Sequence, residues 1–182
     1  MKREPSKTAG AQSTARQLAG FIAKFDLVVA KRIRAARAGL RGRLPTAIEQ
    51  VYDNYNFLAI GYCTTERTSD CLVSLAASAK GVALSFYHGA SLPDPKHILL
   101  GGGNQNRFVR LESAKTLAEP AVDALIHAAI AQAKTPLAKT GGGYTMIKSV
   151  SAKQRPRRLP EKIQRPADFV RAGSLLRPQR PR

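Results

Sequence analysis

Leu18, Phe21, Ile22 and Phe25 recur at helical spacing, which predicts a helix from Thr14 or Arg16 to Phe25. Asp26 is placed to cap a second helix whose apolar stripe is Val29, Ile33, Ala36 and Leu40. Lys31, Arg34, Arg37 and Arg41 fall on its outer surface, with Arg32 at the flank, and Gly42 and Pro45 stop it. The period then changes. Val51 to Tyr62, rich in Tyr, Phe, Ile and Val, reads as one or two strands. Thr64 to Asp70 is polar and turn-like. Cys71 to Ala79 predicts a strand, Lys80-Gly81 a tight turn, and Val82 to His88 the return, with Val82, Leu84 and Phe86 on one face. A Gly- and Pro-rich loop, Gly89 to Gly103, precedes a strand over Arg107 to Leu111. Val122, Leu125, Ile126, Ala129, Ile130 and Ala133 then mark an amphipathic helix. It begins either at Pro120 or one turn earlier, at the capping box Thr116-Leu-Ala-Glu119. Tyr144, Ile147 and Val150 favour an edge strand behind the Gly141-Gly-Gly143 hinge. Helices, then strands, then a helix predict an α+β fold with an antiparallel sheet packed against N-terminal and C-terminal helices.

Charge refines the boundaries. Among 182 residues, residues 1–43 carry net +9, residues 44–133 net −2 and residues 134–182 net +11. The last of these segments also holds 6 of the 11 prolines and few apolar residues to offset the entropy of ordering it. The expected organisation is a flexible leader over 1–15, a folded domain over 16–150 and a basic disordered tail over 151–182. The run Leu18 to Ala30 is broken by Lys24 and Asp26 and is shorter than the ~20 apolar residues of a membrane span. The start MKREPSKTAG has no apolar stretch behind its charges, so a cytoplasmic location is expected. Cys63 and Cys71 are too few for a disulfide framework; they read as small, half-buried apolar residues on either side of a short connection.

Candidate chemistry is sparse. Gly101, Gly102 and Gly103, with Arg107 or Arg110, would make an anion site if their amides converged. The loop continues Asn-Gln-Asn instead of Gly-Lys-Ser, so it is not a P-loop. His88, Asp94 and His97 are metal-ligand types without a standard spacing. The carboxylate pairs Glu49/Asp53 and Glu66/Asp70 show no sign of burial, and no nucleophile elbow is present. The cations at the two ends, Lys31, Arg34, Arg37, Arg41, Lys153, Arg155, Arg157 and Arg158, would attract nucleic acid or another polyanion through phosphates.

The middle of the chain resembles the YdhG-like family, domain-of-unknown-function family 1801. The residues that carry the likeness are Val51-Tyr-Asp-Asn-Tyr55, Gly61, Thr65-Glu-Arg67, Phe86, Gly89-Ala-Ser-Leu-Pro-Asp-Pro95, Leu99-Leu-Gly-Gly-Gly103, Arg107, Ala124-Leu-Ile126 and the run from Ile147 to Arg157. The resemblance implies a compact α+β domain, brings no catalytic residues, and in one branch implies frataxin-like iron handling. The middle of this chain has only a thin acidic excess, which weakens the iron reading. The function expected is therefore a non-enzymatic binding domain. Its cavity is expected between sheet and helices, lined by Tyr52, Tyr55, Phe86 and Arg107. The alternatives are a sequence-nonspecific nucleic-acid-associated protein acting through its basic ends, and iron handling.

Overall fold

The computed structural model describes residues 7–160. Helix α1 (Lys7–Ala23) and helix α2 (Leu27–Arg43) meet at Asp26. The Asp26 carboxylate accepts the Val29 amide at 2.9 Å, which satisfies one of the free N–H groups of α2. Val29, Ile33, Ala36 and Leu40 are buried, as their spacing requires. The chain then forms β1 (Ile48–Asp53), β2 (Leu58–Cys63), β3 (Cys71–Ser78), β4 (Gly81–Phe86), β5 (Arg107–Leu111), α3 (Pro120–Ala131) and β6 (Thr145–Val150). Short 3₁₀ turns occupy Thr68–Asp70, Gly89–Ser91 and Ala114–Ala118.

The six strands form one sheet in the order β5-β4-β3-β2-β1-β6. The first five pair antiparallel, but β6 runs parallel to β1, so the sheet is mixed and not wholly antiparallel. The reason is topological. The chain leaves β5 at one edge and returns through α3 to the far edge, so a hairpin approach to β1 is not available to it. Pleating sends Val51, Ile60, Tyr62, Val73, Leu75, Ala77, Val82, Leu84, Phe86, Val109 and Leu111 into the core together with the buried faces of the helices. Two-layer packing of this kind buries one face of the sheet and leaves the other free of helices.

Two boundaries differ from the sequence expectation. Helix α1 begins at Lys7, so most of the expected leader is helical, and residues 1–6 lie outside the described residues. Helix α3 starts at Pro120, one of the two expected starts, and the Ala114–Ala118 stretch before it is a 3₁₀ turn capped by Ser113. Residues 151–160 are not a free tail: Ser151 N donates to Asp53 O and Arg155 N to Tyr55 O, both at 2.9 Å, and Arg157 is buried. A buried carboxylate on β1 is the physical reason, as described below. The remainder of the expected tail, 161–182, lies outside the described residues.

Candidate functional site

The helix-free face of the sheet is built in cross-strand rows. One row reads Tyr52, Ala59, Ala76, Ala83, Arg110 from β1 to β5, and the next reads Gln50, Gly61, Ser74, Ser85, Phe108. Strands lie ~4.8 Å apart, so each row spans about 19 Å. In both rows the three central positions are small and the outer positions are large. Small centres and tall flanks make a trough of about 760 Å³, with Phe57 and Lys80 at the hairpin end and Tyr87, Gln105 and Asn106 at the other. That is within the ~300–1,000 Å³ of small-molecule sites.

The walls are held in place. Tyr52 Oη donates to Gln50 Oε1 at 2.9 Å and shares a hydrogen bond with Thr68 Oγ1 at 2.8 Å. Gln50 is fully buried and donates to Thr65 O at 3.0 Å, which ties the Thr64–Asp70 connection down over the β1 side. On the opposite wall Ser85 Oγ donates to Asn106 Oδ1 at 2.7 Å. Arg110 and Lys80 are exposed at the rim, and Arg32 reaches the hairpin end beside Gly81. Among the described lining residues there is neither histidine nor cysteine, and Glu112 is the one carboxylate. The trough thus offers apolar surface, hydroxyls and a cationic rim.

This location corrects the expected pocket. Of the four residues proposed to line it, Tyr52 alone faces the trough. Phe86 is fully buried in the core on the other face, between sheet and helices. Tyr55 is exposed in the β1–β2 connection, under the Arg155 guanidinium at 5.4 Å. Arg107 Nη1 donates to Gly103 O and Asn106 O, so it reads the carbonyls of the glycine loop. Gly101 has φ +107°, a backbone conformation that favours glycine, and Gly102 and Gly103 are exposed beside it. With carbonyls turned to Arg107, the loop does not act as an amide cradle with that residue, and Arg110 belongs to the trough instead. His88, Asp94 and His97 do not gather either: Asp94 accepts the Ile98 and Leu99 amides at 3.0 and 2.8 Å and shapes its own loop. Among the described residues no three metal-ligand types cluster. The signal for the trough was present in β3, where outward Ser74, Ala76 and Ser78 alternate with inward Val73, Leu75 and Ala77.

The basic candidates divide in two. Glu49 and Asp53 share the core side of β1 and are both fully buried, against the sequence expectation. Glu49 takes Arg37 Nη2 at 2.7 Å, Arg41 Nη1 at 2.8 Å and the Thr145 hydroxyl at 2.6 Å. Asp53 takes Lys24 Nζ at 2.5 Å and Arg157 Nη2 at 3.0 Å. Burial alone would raise both carboxyls. Hydrogen bonds and the adjacent cations outweigh it and hold both below the usual carboxylate range. Neither is a protonated acid for catalysis, and Arg37, Arg41 and Arg157 are spent inside the fold. Arg158 donates to Phe25 O at 3.3 Å and Ala23 O at 3.2 Å, closing the end of α1. Lys31, Arg34 and Lys153 are exposed.

No helix of the described residues is long and apolar enough to cross a membrane. Comparison with known proteins adds no assignment to this geometry, since no family model, no curated protein and no solved structure matches the chain.

Proposed function

We propose that this protein is a non-enzymatic binding domain whose site is the helix-free face of its sheet. Its ligand is a small molecule with a planar apolar body and an anionic group. The observation that carries the reading is the pair of cross-strand rows. Three adjacent strands place alanine, glycine or serine where the flanking strands place Tyr52, Phe108 and Arg110. An apolar body fits the alanine floor between aromatic walls, and Arg110 with Lys80 suits the charge. The YdhG-like resemblance supports a binding role in the same way, because it brings no catalytic residues. The reading through basic ends is weaker, because Arg37, Arg41 and Arg157 already neutralise buried carboxylates.

Titration of the full chain with anilinonaphthalene sulfonate, a planar apolar anion, tests the reading by fluorescence. Saturable binding at one site is expected. Ala76→Phe fills the centre of the floor and should weaken binding by about tenfold or more, equivalent to ~1.4 kcal/mol. Arg110→Glu should weaken it severalfold. Both variants should keep the wild-type circular dichroism and a cooperative melt. Unchanged affinity in a folded Ala76→Phe would overturn the assignment.

A further inference from the structure

A β-bulge brings two thiols together at the end of the sheet remote from the hairpins. Tyr62 pairs with Val73, yet the next pair is Cys63 with Cys71, which leaves Leu72 as the extra residue on β3. Regular alternation would have set Leu72 opposite Cys63. Instead Leu72 and Val73 both enter the core, and Cys71 is turned to the helix-free side. A Cβ built on Gly61 would lie 3.1 Å from Cys71 Sγ and 3.7 Å from Cys63 Sγ, so both sulfurs sit over the same glycine. Cys71 Sγ donates to Val73 O at 3.3 Å. Both cysteines are free and buried. Residues directly opposed on antiparallel strands have Cβ atoms ~4.5–5.5 Å apart, and a disulfide needs ~3.5–4.5 Å, so a small closure suffices. Cys71 also borders a second cleft of about 640 Å³, shared with Arg67, Asp70, His88 and, from α3, Ala129.

The geometry points to Cys63 and Cys71 as a dithiol site that a hydroperoxide converts to a cross-strand disulfide within one chain. Cys71, the cysteine that borders the cleft, reacts first. Its sulfur attacks one peroxide oxygen and the O–O bond breaks. The alcohol, or water from hydrogen peroxide, departs with the Cys71 proton and leaves a sulfenic acid. The Cys63 sulfur then attacks Cys71 Sγ. The S–S bond forms, the S–O bond breaks, and water leaves with the Cys63 proton. Two electrons pass from the two thiols to the peroxide. Contact with Cys71 and burial push the Cys63 thiol up, which disfavours the thiolate there and leaves the first step to Cys71.

The test treats the folded full chain with hydrogen peroxide, and separately with diamide, then unfolds it in N-ethylmaleimide. Trypsin cuts after Arg67, between the two cysteines, so a disulfide appears as a linked pair of peptides spanning residues 44–67 and 68–80. The expected result is loss of both alkylatable thiols, that linked pair, and recovery of both thiols with dithiothreitol. Cys63→Ser should leave Cys71 at the sulfenic or sulfinic stage with no intrachain link. Three results would overturn the proposal: both thiols still alkylating after oxidant that converts the unfolded chain, Cys71 over-oxidised while Cys63 alkylates, or a link between chains. If Cys63→Ser fails to fold, the wild-type peptide map decides alone.

Discussion

Replacing Asp53 by asparagine removes the negative charge that two cations share inside the fold, and the two are not equally able to survive its loss. The Lys24 side chain is 38% exposed and that of Arg157 is 3% exposed. Lys24 can turn to water, so its share is that of an exposed pair, about 1 kcal/mol or less. Arg157 cannot. It would keep the Asn54 carbonyl and the Phe25 ring, 5.8 Å away, while its Nε and Nη1 are already without a hydrogen-bond partner. Leaving such a charge buried and unpaired costs about 3–5 kcal/mol. The cost has a ceiling, because the chain can release residues 151–160 and hydrate the guanidinium. Urea unfolding followed by circular dichroism should therefore show Asp53→Asn losing about 3 kcal/mol. In a domain of this size that corresponds to roughly 6–12 °C in Tm. Trypsin should gain access to Lys153 if the segment releases. Combining Asp53→Asn with Arg157→Met should restore most of the loss, since an apolar replacement needs no counter-charge. The reasoning fails if Asp53→Asn loses under about 1 kcal/mol with Lys153 still protected, or if the two substitutions simply add.

The second buried carboxylate makes a milder and pH-readable case. Glu49→Gln leaves Arg37 and Arg41, whose side chains are 30% and 38% exposed, so roughly 1–3 kcal/mol is expected in the same urea assay. Both Glu49 and Asp53 titrate lower folded than unfolded, so their stabilisation is complete above the ordinary carboxylate range (~4) and is lost as pH falls from there through their lower folded values. Wild-type stability should decline with acid from that point, and Glu49→Gln should flatten the decline; an unaltered pH profile would contradict the assignment. At the other junction of β6, Gly143 donates to Pro45 O at 2.7 Å, and a Cβ there would collide with the Ala47 carbonyl. Gly143→Ala should cost about 1–3 kcal/mol in thermal melts, whereas Gly142→Ala, with nothing within 4 Å, should be neutral.

Local pattern alone carried much of this molecule. The stripe Val29, Ile33, Ala36, Leu40 named the buried face of α2, Lys80-Gly81 named a hairpin, Arg107–Leu111 named β5, and Tyr144 to Val150 named an edge strand. These follow from periodicity and backbone preference, which depend on neighbours in the chain. Tertiary structure decided the site and the fate of the charges. Ala59, Ala76 and Ala83 come from three separate strands and form a floor only through their register. Alternation names two faces of each strand, but helix packing chooses which face stays open. Likewise Arg37, Arg41 and Arg157 read as surface cations because arginine normally is one. Only long-range folding set them against Glu49 and Asp53, and a charge in the interior is tolerable only when a partner arrives with it.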